Sequence, residues 1–154
     1  PRLGRDGAPD GARDLVSDAS PASSEGGGLG GAVRYRASGA PLNSMMCHCN
    51  SCRRAAGAPV VAWITFPSDA LTFTTGTPNR YASSAGVVRT FCPGCGTPLT
   101  YVHQGRPGDV DVTTASLDHP DRFPPTWHGW LEDTLPWLRF GDDLPTHRKV
   151  PSAE

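Results

Sequence analysis

"MMCHCNSCRRAAGAP", Met45 to Pro59, sets Cys47, Cys49 and Cys52 within six consecutive positions. In an extended chain, residues i and i+2 share a face. Cys47 and Cys49 therefore present their sulfurs together, while His48 faces the other way and is not read as a ligand. Cys52 follows on the turn "NSC", where a short helix over Ser51 to Ala56 is expected. Three thiolates from one loop suit zinc, with Zn–S bonds of about 2.3 Å. Three protein ligands leave one tetrahedral position open, which is the arrangement of a catalytic ion and not of a closed structural one. Such an ion lowers the pKa of a thiol in the open position, so a nucleophilic thiolate forms near neutral pH.

The second cluster is "FCPGCGTPL", Phe91 to Leu99, with Cys92 and Cys95. Cys-Pro-x-Cys-Gly is a knuckle turn: Pro93 sets the bend and Gly96 tolerates positive φ just after the second sulfur. It supplies two ligands where a structural zinc needs four. Other readings stand beside these. Free cysteines are also small buried hydrophobes. Either cluster can close as a disulfide. The two can also merge into one closed zinc site of Cys49, Cys52, Cys92 and Cys95, which would leave no open position.

The chain has 154 residues, enough for one domain around one core, and a formal net charge of -1. That balance gives no reason to expect nucleic acid or an anionic membrane as a partner. The longest apolar run, "VVAWITF" (Val60 to Phe66), is far short of the roughly 20 residues that span a bilayer. No basic segment followed by an apolar core opens the sequence, so no secretory signal is read and a cytoplasmic location is expected. Clustered Cys-x-x-Cys spacings in such a chain favour metal or redox chemistry.

Glycine at 18 and proline at 16 argue for many turns and short strands. Residues 1–25, "PRLGRDGAPDGARDLVSDASPASSE", have few large apolar groups and read as a disordered tail. The folded domain is expected over 26–148. "AVRYRA", "PLNSMMCHC", "PVVAWITFP", "ALTFTTG", "NRYASSAG", "VVRTFC", "PLTYVHQG" and "GDVDVTTASLD" read as successive short strands. The Trp- and Pro-rich end, "FPPTWHGWLEDTLPWLRFGDDLPTH", reads as an irregular segment wrapping the sheets. The class is mainly β.

With these motifs in view, residues 26 to about 145 resemble the glutathione-dependent formaldehyde-activating enzyme family, also called the centromere protein V family. The matching segments are "GGAVRY", "CHCNSCRRAAGAPVVAW", "YASSAGVVRTFCPGCGTPLTY", "DVDVTTASLD" and "WHGW". The resemblance implies a β-tent zinc-binding fold of small sheets. It also implies a carbon–sulfur lyase that joins glutathione to formaldehyde, with a small-molecule thiol and an aldehyde as partners. The catalytic zinc falls by resemblance on Cys47, Cys49 and Cys52. The family's second, structural zinc uses the knuckle together with two cysteines just before the "VRY" strand. Here Gly28 and Gly30 stand in their places, so Cys92 and Cys95 keep half of a site. That accounts for the odd total of five cysteines. Vacancy, a disulfide and weak zinc binding all remain open for the pair.

Other residues carry weaker indications. Arg53 and Arg54 can pair with a glutathione carboxylate or lie solvated on the surface. His128 in "WHGW" can donate a proton, although a hydrogen-bonded structural role is the plainer reading. Ser116 and Asp118 can line a pocket or cap a turn. Trp63, Trp127, Trp130 and Trp137 are expected in the core. Two rivals stand against the lyase: a non-catalytic zinc module that binds a partner protein, and a degenerate paralogue without activity.

Overall fold

In the computed structural model, residues 22–150 are described. The chain forms β1 (Ser23–Gly27), β2 (Arg34–Ser38), β3 (Asn43–Cys47), α1 (Asn50–Ala56), β4 (Val61–Pro67), β5 (Leu71–Thr75), β6 (Asn79–Ser84), β7 (Val87–Phe91), β8 (Pro98–His103), β9 (Asp109–Thr113) and β10 (His128–Gly129). Three short 3₁₀ turns lie in the largely irregular chain described after β9. Among the described residues α1 is the one α-helix. The protein is mainly β, as expected. None of these helices is long and apolar enough to cross a membrane.

Two sheets result. The smaller has the order β1-β2-β5, and the larger β10-β3-β4-β9-β8-β7-β6. Every pairing is antiparallel except β10 with β3, which is parallel. Most of the tail expected over residues 1–25 lies outside the described residues. Its last three, Ser23 to Glu25, form the start of β1. Their strand character is hidden in a Ser- and Gly-rich segment and comes from pairing: Glu25 accepts from Arg36 on β2, and Ser24 is buried.

β4 is the shared wall of the molecule, because side chains alternate across a strand. Ile64 and Phe66 point into one apolar cluster with Val33, Tyr35, Leu99 and Val112. Both are fully buried, which contributes about 1.5–3 kcal/mol each. Val61 and Trp63 point the other way, into a second cluster with Met45, Cys47 and Cys52. The first cluster joins the sheets, and the second carries the thiols.

The Trp-rich end inserts one short strand rather than only wrapping the surface. β10 pairs His128 with Met46 and Gly129 with Cys47. A Cβ on Gly129 would stand 2.7 Å from the Trp127 ring and 2.8 Å from Met45 Cε, so this approach requires glycine. Trp127 and Trp130 pack against the second cluster, and Trp63 is buried in it. Trp137 departs from its expected core position and is 66% exposed. It follows Pro136 in an irregular stretch that no strand fastens to the sheets.

Candidate metal centre

The three-cysteine loop is built by β3, its exit and the first turn of α1. Cys47 closes β3, held between Val61 of β4 and Gly129 of β10. The His48 N–H donates to the Gly129 carbonyl at 3.1 Å, which extends the pairing beyond the strand. Cys49 is the N-cap of α1, in extended geometry, and its sulfur accepts the Cys52 N–H at 3.3 Å. The helix stops at Gly57, whose φ of +62 suits glycine. Asn50 is fastened by the Asp133 carboxylate, which accepts from its backbone N–H at 3.1 Å and from its side-chain amide at 2.7 Å.

The three sulfurs lie within 4.8 Å of one another. Around a tetrahedral ion with bonds of about 2.3 Å, sulfurs stand roughly 3.8 Å apart, so the cluster is close to the size zinc needs. Thiols of Cys47 and Cys52 donate to Cys49, with the N–H groups of Cys52 and Ser51 adding to them, and this holds the Cys49 thiol far below its ordinary value. The same bonds, with burial, push Cys47 far above it. One thiolate is stable between two protonated neighbours; three are stable only with a positive ion between them.

Around the thiols opens a cavity of about 1320 Å³. Its walls include Trp63, Tyr101, Trp130, Arg54 and Arg89. Arg89 Nη2 lies 3.6 Å from Cys52 Sγ, and the guanidinium sits 4.8 Å from the centre of the Tyr101 ring. The buried cation is thereby fixed between the thiols and an aromatic face. Trp130, also on the cavity wall, has φ of +61, a left-handed conformation uncommon for a bulky residue.

His48 faces away from the sulfurs, as the strand alternation requires. It is fully buried, with Nε2 2.9 Å from Nδ1 of His128. His128 Nε2 in turn lies 3.1 Å from Asp142 Oδ1. Phe140 packs on both rings. His48 Nδ1 has no partner among the described residues. His128 is therefore part of a buried clamp behind the loop and not a wall of the cavity. The Arg53 guanidinium donates to Asn50 Oδ1 and to the His48 carbonyl, and Arg53 does not line the cavity. Its neighbour Arg54 lines the opening instead. Ser116 bonds Tyr35 Oη at 2.7 Å, and Asp118 pairs with Arg34. Neither lines the cavity.

Arg89, Tyr101 and Asp133 escaped the reading of the sequence. "VVRTFC" and "PLTYVH" were legible as strands, and alternation alone places Arg89 and Tyr101 on them. Their direct pairing across β7 and β8 is what points both at the thiols.

Cys92 and Cys95 sit apart, on the turn between β7 and β8. Cys92 is fully buried and Cys95 exposed. Gly96 has φ of +75, as the knuckle motif requires. The Gly28–Gly30 loop lies directly over the turn. A Cβ on Gly28 would stand 3.0 Å from Cys92 Sγ and 3.1 Å from Cys95 Sγ. The Gly30 N–H donates to Cys95 Sγ at 3.4 Å. Gly28 and Gly30, which stand where the resemblance expects two further cysteines, thus lie against the knuckle sulfurs.

Fold and site together define a mainly β protein with a three-cysteine centre opening on a cavity. Residues 23–133 match the family described as "Glutathione-dependent formaldehyde-activating enzyme", well over half of the chain, and the protein belongs to that family. Its fold is similar to the crystal structure of a Rhodobacter sphaeroides protein, at 23% identity and a TM-score of 0.53 over 61% of this chain and 87% of that one. Among curated proteins none matches significantly.

Proposed function

We propose that the protein is a zinc-dependent carbon–sulfur lyase of the formaldehyde-activating type, adding glutathione or another small thiol to formaldehyde or a related aldehyde. The observation that carries this is the convergence of three sulfurs within 4.8 Å on the wall of an accessible cavity. Cys47, Cys49 and Cys52 would hold the ion, and the donor set suits zinc. Zinc there would supply Lewis acidity and lower the pKa of a thiol in the open position.

In the reaction, one S–C bond forms between the thiol sulfur and the aldehyde carbon. The C=O π pair moves to oxygen, which ends with the proton the thiol gave up. Arg89 is placed to donate to whichever reacting atom carries negative charge, and burial strengthens that bond. Trp63 and Tyr101 keep water from the reacting pair. Arg54 replaces Arg53 as partner for a carboxylate of the thiol. The Asp133–Asn50 bonds and the His48–His128 clamp hold the cysteine loop in place from opposite sides.

The test is exchange NMR on zinc-loaded protein with glutathione and formaldehyde. Interconversion of free formaldehyde and its thiol adduct should run faster than without protein, and Cys52→Ser should abolish the gain. No acceleration with glutathione or any other small thiol, while zinc remains bound, would favour a non-catalytic module.

A further inference from the structure

We infer that Cys92 and Cys95 form a redox-active dithiol, with Cys95 as the attacking sulfur and Cys92 as the resolving one. The inference stands independently of the lyase reading.

Three observations carry it. First, the two sulfurs share one small space: both lie about 3 Å from the point a Gly28 side chain would occupy. The turn that brings them there is fixed, with the Gly96 N–H on the Cys92 carbonyl at 2.8 Å and the Cys92 N–H on the Thr97 carbonyl at 3.0 Å. Second, exposure is divided as the chemistry needs, with Cys95 open to solvent and Cys92 sealed beneath it. Third, Cys95 Sγ receives bonds from outside the pair. The Thr97 hydroxyl lies at 3.2 Å and the Gly30 N–H at 3.4 Å. Those donors favour the charged form of the sulfur. Where the resemblance expects two further cysteines the chain has glycines, and the Gly30 N–H meets Cys95 Sγ there instead.

The oxidant is a small disulfide such as oxidised glutathione. Cys95 thiolate attacks one of its sulfurs, an S–S bond breaks, and one thiolate leaves while a mixed disulfide forms on Cys95. The Cys92 thiol then gives up its proton and attacks the Cys95 sulfur. A Cys92–Cys95 disulfide forms and the second small thiol departs, so two electrons pass from the pair to the oxidant.

The experiment uses the full chain loaded with zinc, treated with oxidised glutathione at neutral pH and analysed by mass spectrometry. The peptide holding Cys92 and Cys95 should lose the mass of two hydrogens while the zinc content stays unchanged. Cys95→Ser, an exposed and mild change, should leave Cys92 unmodified. Cys92→Ser should stop at a glutathione adduct on Cys95. Iodoacetamide should label Cys95 about tenfold faster than Cys92 in the untreated protein. An unmodified pair in the wild-type protein, or zinc found on these two sulfurs, would overturn the inference.

Discussion

Arg89 Nη2 stands 3.6 Å from Cys52 Sγ, a permanent cation buried against a thiol. Hydrogen bonds to charged groups are worth about 1.5–3 kcal/mol. Arg89→Met should therefore lower kcat/KM for adduct formation by roughly tenfold to a hundredfold. Zinc content should stay the same, because Arg89 is no ligand. Arg89→Lys should recover only part, since an ammonium lacks the flat guanidinium that rests on Tyr101. Steady-state rates with parallel metal counts check this.

The loop over the knuckle gives a paired stability test. A Cβ at Gly28 would meet Cys92 Cβ at 2.8 Å, closer than side chains approach, whereas at Gly30 the nearest atom is Cys95 Cβ at 3.5 Å. Gly28→Ala should cost about 1–3 kcal/mol in denaturant unfolding. Gly30→Ala should fall within about 0.5 kcal/mol of wild type.

The same loop invites restoration. Gly28→Cys and Gly30→Cys together should rebuild four thiolates with Cys92 and Cys95 and take up one additional zinc, raising the melting temperature. The loop must retreat to admit the Gly28 side chain, and zinc binding, on the order of 10 kcal/mol in zinc-finger peptides, can offset that movement. Gly28→Cys alone should destabilise, as Gly28→Ala does. Metal counts and melting curves under reductant check all of these.

Tyr35 supplies a pH test. Burial pushes its hydroxyl up to about 12, partly offset by the bond to Ser116. In the unfolded chain it ionises near its ordinary value of about 10. A raised folded value means that its contribution is complete below pH 10 and is lost as pH rises from 10 through 12. The loss amounts to about 2–3 kcal/mol. Unfolding curves across that window should fall, and Tyr35→Phe should flatten the fall while lowering stability at neutral pH through the lost Ser116 bond.

Local patterns carried much of the fold into the sequence. β4 reads as a buried strand because Pro59 and Pro67 bracket a β-branched, aromatic run. Cys47, Cys49 and Cys52 are legible because strand alternation and the turn after it are short-range geometry. β1 was only partly legible, since "SSEGG" has no apolar alternation and becomes a strand only against β2. The burial of His48 against His128, 80 residues apart, is likewise a product of the parallel β10 pairing, and no local signal announces it. Arg53 and Arg54 show the same limit. Both follow Cys52, but the helix phase turns one toward its own backbone and the other toward the cavity.

The most direct measurement is the zinc content of purified, reduced protein by elemental analysis, for wild type and Cys52→Ser. The account predicts close to one zinc per wild-type chain and little in the variant, with Cys92 and Cys95 still free to alkylate in both. Two tightly held ions per wild-type chain, or an undiminished ion in Cys52→Ser, would contradict it.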